Sequence, residues 1–298
     1  MAPIEQIQLG VEAGNFLALA KAISAIENNA DQSTQFLESL RPSSVPIIGI
    51  TGPPGAGKST LIAALIQDWV EAGKRIAVLS VDPSSPFHQG AILGDRIRMR
   101  EWYLHPQVFI RSLASRGHLG GLNSTTIELT TLLQCAGFDI IILETVGVGQ
   151  SEVEVAALAD TTLVVLVPEA GDDIQMMKSG LMEVADIFVV NKSDRPDAGA
   201  FAAHIKQMLV ENHATDTSLV QTIASQKEGI DELVKAIQDH QTKASHESSK
   251  QRLMLSKTMQ LIVAKKMQQL DYAAIETALA KAMQASSFNI FEFAKQYY

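Results

Sequence analysis

Between residues 45 and 240 the chain alternates short, nearly continuous apolar runs with longer mixed stretches. Seven runs have strand length: Ile47–Thr51, Ile76–Val81, Val108–Ser112, Ile140–Glu144, Thr162–Pro168, Ile187–Asn191 and Leu219–Thr222. Apolar strands separated by helices predict an α/β fold, a mostly parallel central sheet with helices on both faces. Upstream, Phe16, Ala20, Ile23 and Ile26 fall on one helical face, and Phe36, Leu37 and Leu40 predict a second, short helix. Arg41-Pro42-Ser43-Ser44 breaks this segment from the sheet. Downstream, the polar stretch 241–250 reads as a hinge or linker. Beyond it, Leu255, Met259, Ile262, Val263 and Leu270 form one apolar stripe, and Tyr272, Ile275, Leu279 and Met283 another. The expected organisation is an N-terminal helical segment over 1–42, an α/β domain over 43–240 and a C-terminal helical arm over 241–298. The two stripes either pack on the parent domain or bury themselves against a second subunit. Two helices beyond a polar linker cannot cover each other's faces completely, so a homodimer is expected.

Composition narrows the classes. The 298 residues are 46% hydrophobic, enough for a sizeable core. No apolar run reaches the roughly 18–20 residues that span a bilayer, so no membrane association is expected. No signal peptide is evident, while a removed transit peptide stays open. The single cysteine, Cys135, excludes an intramolecular disulfide and points to a reducing, cytoplasmic compartment. Its neighbours Leu132, Leu133 and Ala136 predict a buried thiol. A net charge of −9 lacks the basic footprint of a nucleic-acid partner. The seven histidines show no metal-ligand spacing, and one cysteine cannot build a zinc site.

The chemistry sits at the ends of the strands, where parallel sheets bind ligands. After the first run comes Gly52-Pro53-Pro54-Gly55-Ala56-Gly57-Lys58-Ser59-Thr60, a G-x-x-x-x-G-K-[ST] phosphate loop between strand and helix. Its glycines let backbone N–H groups cradle phosphate oxygens at the positive end of the following helix. Lys58 is positioned to reach the β- and γ-phosphates, and Ser59 to give its hydroxyl to Mg²⁺. The sixth run ends in Asn191-Lys192-Ser193-Asp194. A carboxylate there can accept from guanine N1–H and the exocyclic amine. Adenine would leave the carboxylate, expected to be buried, unpaired, and such sites discriminate by about 10⁴-fold or more. Bound GTP or GDP is therefore expected.

Three further loops at the same rim carry candidate groups. Asp82 ends the second run before Pro83, and Asp95 lies in a Gly-bracketed stretch that fits a switch ordered by the γ-phosphate and Mg²⁺. Glu144 ends the fourth run, where phosphate-loop enzymes place a metal-associated carboxylate. In the Gly-rich turn after it, Gly147 is a candidate to bring its backbone N–H to the γ-phosphate, and Gln150 is either a water-orienting or a surface residue. Lys58, Asp82 and Glu144 are the candidate catalytic residues, and Ser59, Asp82, Asp95 and Glu144 the candidate metal set. Mg²⁺ takes only one or two direct protein ligands, so not all of these touch it. The segment 169–180 is either a third switch facing a partner or a loop capped by Asp172 or Asp173. Arg111, Arg116 and His118 are candidate cations near the rim without an assigned role.

Four segments together, G-P-P-G-A-G-K-S-T, V-D-P-S-S-P-F, E-T-V-G-V-G-Q-S-E and N-K-S-D, resemble the MeaB/ArgK/MMAA-type GTPases, relatives of the signal-recognition-particle and nickel-chaperone GTPases. The resemblance runs from about residue 8 to the C-terminus and is densest between 45 and 195. It implies a GTPase that gates cofactor loading in an adenosylcobalamin-dependent acyl-CoA mutase, typically methylmalonyl-CoA mutase, and protects it from inactivation. It also implies a homodimer formed through the C-terminal helices. By the same resemblance, Ser59, Asp82, Asp95 and Glu144 surround Mg²⁺, and Asn191, Lys192 and Asp194 read the base. Gln175 and Lys178 match third-switch positions that communicate with the mutase. The last base segment departs from the family's T-S-A and reads Thr222-Ile223-Ala224, with the Ala224 N–H expected to serve guanine O6. His88-Gln89 replaces a commoner Thr-Gly. Rival readings are a metallochaperone GTPase, which predicts Cys/His clusters, a phosphate-loop kinase, which needs a second substrate pocket, and a structural partner that binds nucleotide without turnover.

Overall fold

The computed structural model describes residues 4–28, 33–41, 43–82, 99–114, 124–145, 155–168, 184–212, 216–244, 258, 262–263 and 270–282. All seven apolar runs form strands: β1 Ile47–Thr51, β2 Ile76–Asp82, β3 Val108–Ala114, β4 Ile140–Thr145, β5 Thr161–Leu166, β6 Ile187–Asn191 and β7 Ser218–Thr222. They build one sheet in the order β3-β2-β4-β1-β5-β6-β7, and every pairing is parallel. β5 ends at Leu166 rather than Pro168, because its pairing with β6 stops at Leu166 opposite Val190.

The helices, numbered along the described chain, are α1 Ile4–Glu12, α2 Phe16–Glu27, α3 Ser33–Ser39, α4 Lys58–Glu71, α5 Ser124–Gln134, α6 Ala198–Glu211, α7 Ile230–Ala244 and α8 Tyr272–Ala282. Alternation along the strands sorts their side chains to two faces. Ile47, Ala77, Leu79, Ile141 and Leu143 pack with α2 and α5. Ile48, Ile50, Ile76, Val78 and Ile142 pack with Leu61, Ile62 and Leu65 of α4 and Leu233 and Ile237 of α7. Val164, Leu166, Phe188 and Val190 take Phe201, Ile205 and Leu209 of α6.

The N-terminal helices share the core of the sheet. α2 is capped by Asn15, whose Oδ1 accepts the Leu17 and Ala18 amides at 2.9 and 3.0 Å. Its buried face is Leu19, Ala22, Ile23 and Ile26; Ala20 is only half-buried, a rotation from the expected stripe. Phe16 packs against Phe109 and Phe138, with ring centroids 5.5 and 6.0 Å apart. Arg75 lies over the rings of Phe16 and Phe138 and donates to the carbonyls of Gly14 and Gly137. One guanidinium thus ties the helical segment to the edges of β2 and β4.

The first four residues of the polar stretch 241–250, expected as a linker, are helical, because α7 continues through Ala244; residues 245–250 lie outside the described residues. Leu233 and Ile237 anchor that helix, and Thr242 Oγ1 returns a hydrogen bond to Gln238 O at 2.8 Å, so its polar last turn stays helical. In the C-terminal region, Asp271 caps α8 by accepting the Ala274 amide, while Ile262 and Val263 are exposed. Leu255, Met259 and Met283 lie outside the described residues. No helix among the described residues is long and apolar enough to cross a membrane.

Candidate functional site

β1 delivers the chain to the phosphate loop at the centre of the sheet. Gly52 has φ of 137°, and a Cβ there would fall 2.1 Å from the Val165 carbonyl oxygen. Gly57, the N-cap of α4, has φ of 88°, and its Cβ would fall 2.5 Å from Asn191 Nδ2. Neither position admits a side chain without moving its neighbour, so the loop's path depends on these glycines. Lys58 opens α4 and is buried. Its Nζ donates to the carbonyls of Gly52 at 2.7 Å and Pro53 at 3.0 Å, which holds the ammonium over its own loop.

Behind the loop is a buried polar network. Glu144, at the end of β4, is 3% exposed. Its Oε1 accepts from Ser59 Oγ at 3.0 Å and its Oε2 from Ser80 Oγ at 3.0 Å. Thr145 donates its hydroxyl to Thr51 Oγ1 at 2.9 Å, linking the ends of β4 and β1. Asp82 ends β2 at the same rim, opposite Ala114 of β3. The Ser59 hydroxyl and Glu144 carboxylate form an all-oxygen donor pair, which suits a hard cation such as Mg²⁺. The described residues contain no group of three or more His, Cys, Asp or Glu side chains placed to hold a metal ion.

Asn191 joins the two halves of the site. Its Nδ2 donates to Ala56 O at 2.9 Å in the phosphate loop. Its Oδ1 accepts from Ala224 N at 3.1 Å and Thr222 Oγ1 at 3.2 Å. Lys192, at φ of 58°, reaches back to Gly55 O at 2.7 Å. Ser193 N donates to Thr222 O, and its Oγ to Val190 O. The base turn and phosphate loop are therefore bonded directly to each other.

Two expectations change. The Ala224 amide is committed to Asn191, and the Ile223 amide to Glu228 O, so neither is offered to guanine O6 in this arrangement. The 222–224 segment instead fixes Asn191. Asp194 was expected to be buried; it is exposed, because it stands in the turn beyond β6. Arg111 pairs with Glu27 at the end of α2, which accounts for one of the unassigned cations. Cys135 is half-buried, donates to Thr131 O at 3.4 Å, and burial raises its thiol pKa, all of which favour an unreactive thiol.

Asp95, Gly147, Gln175 and Lys178 lie outside the described residues, as do His88, Gln89, Arg116, His118, Gln150, Asp172 and Asp173. Sequence reasoning missed Ser80, Thr51 and Thr145. Each is a hydroxyl in an apolar strand, and only strand register shows which polar group it meets.

The comparisons with known proteins agree with this geometry. The family model described as methylmalonyl Co-A mutase-associated GTPase MeaB matches residues 19–278. A Pyrococcus horikoshii protein carrying a provisional GTPase name is 42% identical over 80% of this chain and 78% of its own. GTPase ArgK of Escherichia coli is 39% identical over 77% of this chain and 73% of its own. The mouse methylmalonic aciduria type A homolog, a mitochondrial protein, is 33% identical over 84% of this chain and 66% of its own. Among solved structures, a LAO/AO transport system kinase superposes with a TM-score of 0.70 at 26% identity, covering 99% of this chain and 96% of that one. A nickel-bound HypB from Helicobacter pylori, 17% identical, has a TM-score of 0.51 over 75% of this chain and 94% of that one, a likeness of fold. With a phosphate loop and a base turn bonded into one crevice, and a family model spanning most of its length, this chain belongs to the MeaB family of GTP-hydrolysing P-loop proteins.

Proposed function

We propose that this GTPase is Mg²⁺-dependent and acts as a chaperone for an adenosylcobalamin-dependent acyl-CoA mutase of the methylmalonyl-CoA mutase type. It gates loading of the mutase cofactor and protects the mutase from inactivation. The observation that carries the nucleotide part is Asn191, whose amide bonds to the phosphate loop on one side and to the 222–224 turn on the other. The mutase part is supported by the family's description and by the name of the mouse relative.

In this reading the residues divide the work by chemistry. Lys58 brings positive charge to the β- and γ-phosphates. The amides of 52–60 cradle the phosphate oxygens. Ser59 and Glu144, with Asp82 and Asp95, hold the cation and its water shell, and Mg²⁺ supplies charge neutralisation at the β- and γ-oxygens. Asp194 accepts from the guanine edge, while Lys192 and Asn191 hold the turn that presents it. Gly147 contacts the γ-phosphate, and Gln175 and Lys178 carry the nucleotide state to the mutase. Catalysis is positioning and charge stabilisation with little covalent chemistry by the protein. The stripes in 241–298 form a homodimer interface, and the protein works in the cytoplasm.

The test is co-purification with a cobalamin mutase in the presence of GDP, a non-hydrolysable GTP analogue or no nucleotide. Phosphate release and mutase lifetime are measured on the same samples. Nucleotide-dependent binding with longer mutase lifetime is expected. Absence of binding in every nucleotide state overturns the chaperone reading. Transfer of labelled γ-phosphate to anything but water replaces it with a kinase.

A further inference from the structure

Ser80 is the one hydroxyl in the run Ile76-Ala77-Val78-Leu79-Ser80-Val81. Local pattern alone assigns it to the core, as a small residue among β-branched and aliphatic ones. It shares a strand face with Ile76 and Val78, the face that α4 covers. Strand register places it directly beside Glu144, and Ser59, whose helix covers the same face, meets that carboxylate from the other side. Ser80 is 2% exposed, and its Oγ donates to Glu144 Oε2 at 3.0 Å. Ser59 Oγ donates to Oε1 at the same distance.

This arrangement has a chemical consequence. A buried carboxylate needs its oxygens satisfied, and bonds to both oxygens fix the plane of the group. With that plane fixed, Glu144 fixes the proton of Ser59. A serine hydroxyl has one hydrogen and two lone pairs. When its hydrogen points to Glu144, its lone pairs remain for a hard cation. Without Ser80, Glu144 Oε2 loses that hydrogen bond, the plane of the carboxylate is held less firmly, and the orientation of the Ser59 hydroxyl with it. We propose that Ser80 is a positioning residue that orients Glu144, and through it Ser59, for divalent-cation binding at the phosphate loop. The inference rests on the Mg²⁺-dependent reading above.

The experiment uses the full chain with Ser80→Ala and Ser80→Thr. Release of a fluorescent GDP analogue is followed across a Mg²⁺ titration and after EDTA, together with GTP hydrolysis. Loss of a residue that orients a metal ligand weakens metal affinity by about 10–100-fold. The expected result for S80A is a half-saturating Mg²⁺ concentration raised by that factor. Metal-free GDP affinity is unchanged, and kcat at saturating Mg²⁺ stays close to wild type. S80T, which restores the hydroxyl, returns the Mg²⁺ requirement toward wild type. Ser80→Cys, close in size with a weaker donor, falls between and keeps the test in hand if S80A does not fold. A wild-type Mg²⁺ requirement that S80A leaves untouched, whatever its melting temperature, overturns this inference alone. A wild type indifferent to Mg²⁺ overturns the cation reading and this inference with it.

Discussion

At the rim where the strands begin, carboxylates accept the chain's own amides. Asp160 Oδ2 takes the Ile47 amide at 2.8 Å, Asp186 Oδ2 the Thr162 amide at 2.7 Å, and Asp139 Oδ2 the Arg75 amide at 2.8 Å. His240 braces Asp186, with Nε2 3.1 Å from Oδ1, while its Nδ1 meets Thr161 Oγ1 at 2.9 Å. At the rim where the strands end, the side chains bond instead to loop carbonyls: Lys58 to Gly52 and Pro53, Lys192 to Gly55, Asn191 to Ala56. The first rim supplies its own anions. The second spends its cations and amide donors on shaping a Gly-dependent loop, and its amides suit an anion brought by a ligand. The same pairing of negative oxygen with backbone N–H thus gives stability at one end of the sheet and recognition at the other.

Substitutions should separate the two rims. The largest expected effect is Asp194→Ala, which removes the guanine-specific acceptor. The preference for GTP over ATP, measured as a ratio of kcat/KM, should fall by up to about 10⁴-fold with little change in unfolding free energy. An unchanged ratio would place base selection elsewhere. Lys58→Ala comes next, with kcat/KM for GTP down by about 10²–10³-fold, as for loss of a charge-stabilising group. Asp160→Ala at the rim where the strands begin should do the reverse. It leaves the Ile47 amide without its carboxylate and should cost about 1–3 kcal/mol in urea unfolding, while turnover per folded molecule stays constant. A proportionate loss of turnover would break the division between the rims. The smallest effect belongs to Asp68 on α4, whose pKa is raised by burial first and then by the negative charges of Asp231 and Glu71. A carboxyl with a raised folded pKa gives its full stability below the unfolded value of 3.8 and loses it as pH climbs through the folded value. Asp68→Asn should therefore raise the melting temperature slightly at pH 7 and not at pH 3.

The strands were legible because buried parallel strands are apolar on both faces, and that signal survives without knowledge of neighbours. The phosphate loop and the N-K-x-D turn were legible because their spacing is local. Ser80, Thr51 and Thr145 were not, since a hydroxyl's meaning in a strand depends on what the next strand presents. The partner of the Ala224 amide was hidden for a similar reason: the sequence shows that an N–H exists, and only the fold shows that Asn191 Oδ1 lies within its reach. Residues 241–244 looked like a linker because polar composition hides a helix that is anchored two turns earlier by Leu233 and Ile237. Asp160 and Asp186 gave no sign of their role, as each caps a strand whose start is distant in sequence or set by the turn before it.

The strand order has a consequence for synthesis. β1 pairs only with β4 and β5, whose residues are made 90 and more positions later, and Asn191 and the 222–224 turn come later still. A nascent chain carries the phosphate-loop residues early, but β1 gains its first strand neighbour only with β4 at residue 145 and its second with β5 at residue 166, and Asn191 is not fixed by the 222–224 turn until residue 224. A nucleotide that needs both the phosphate loop and the base turn therefore finds a complete site only late in synthesis. It reports completion of the sheet, and a ribosome-stalled series should first gain GDP binding only after Ala224 has emerged.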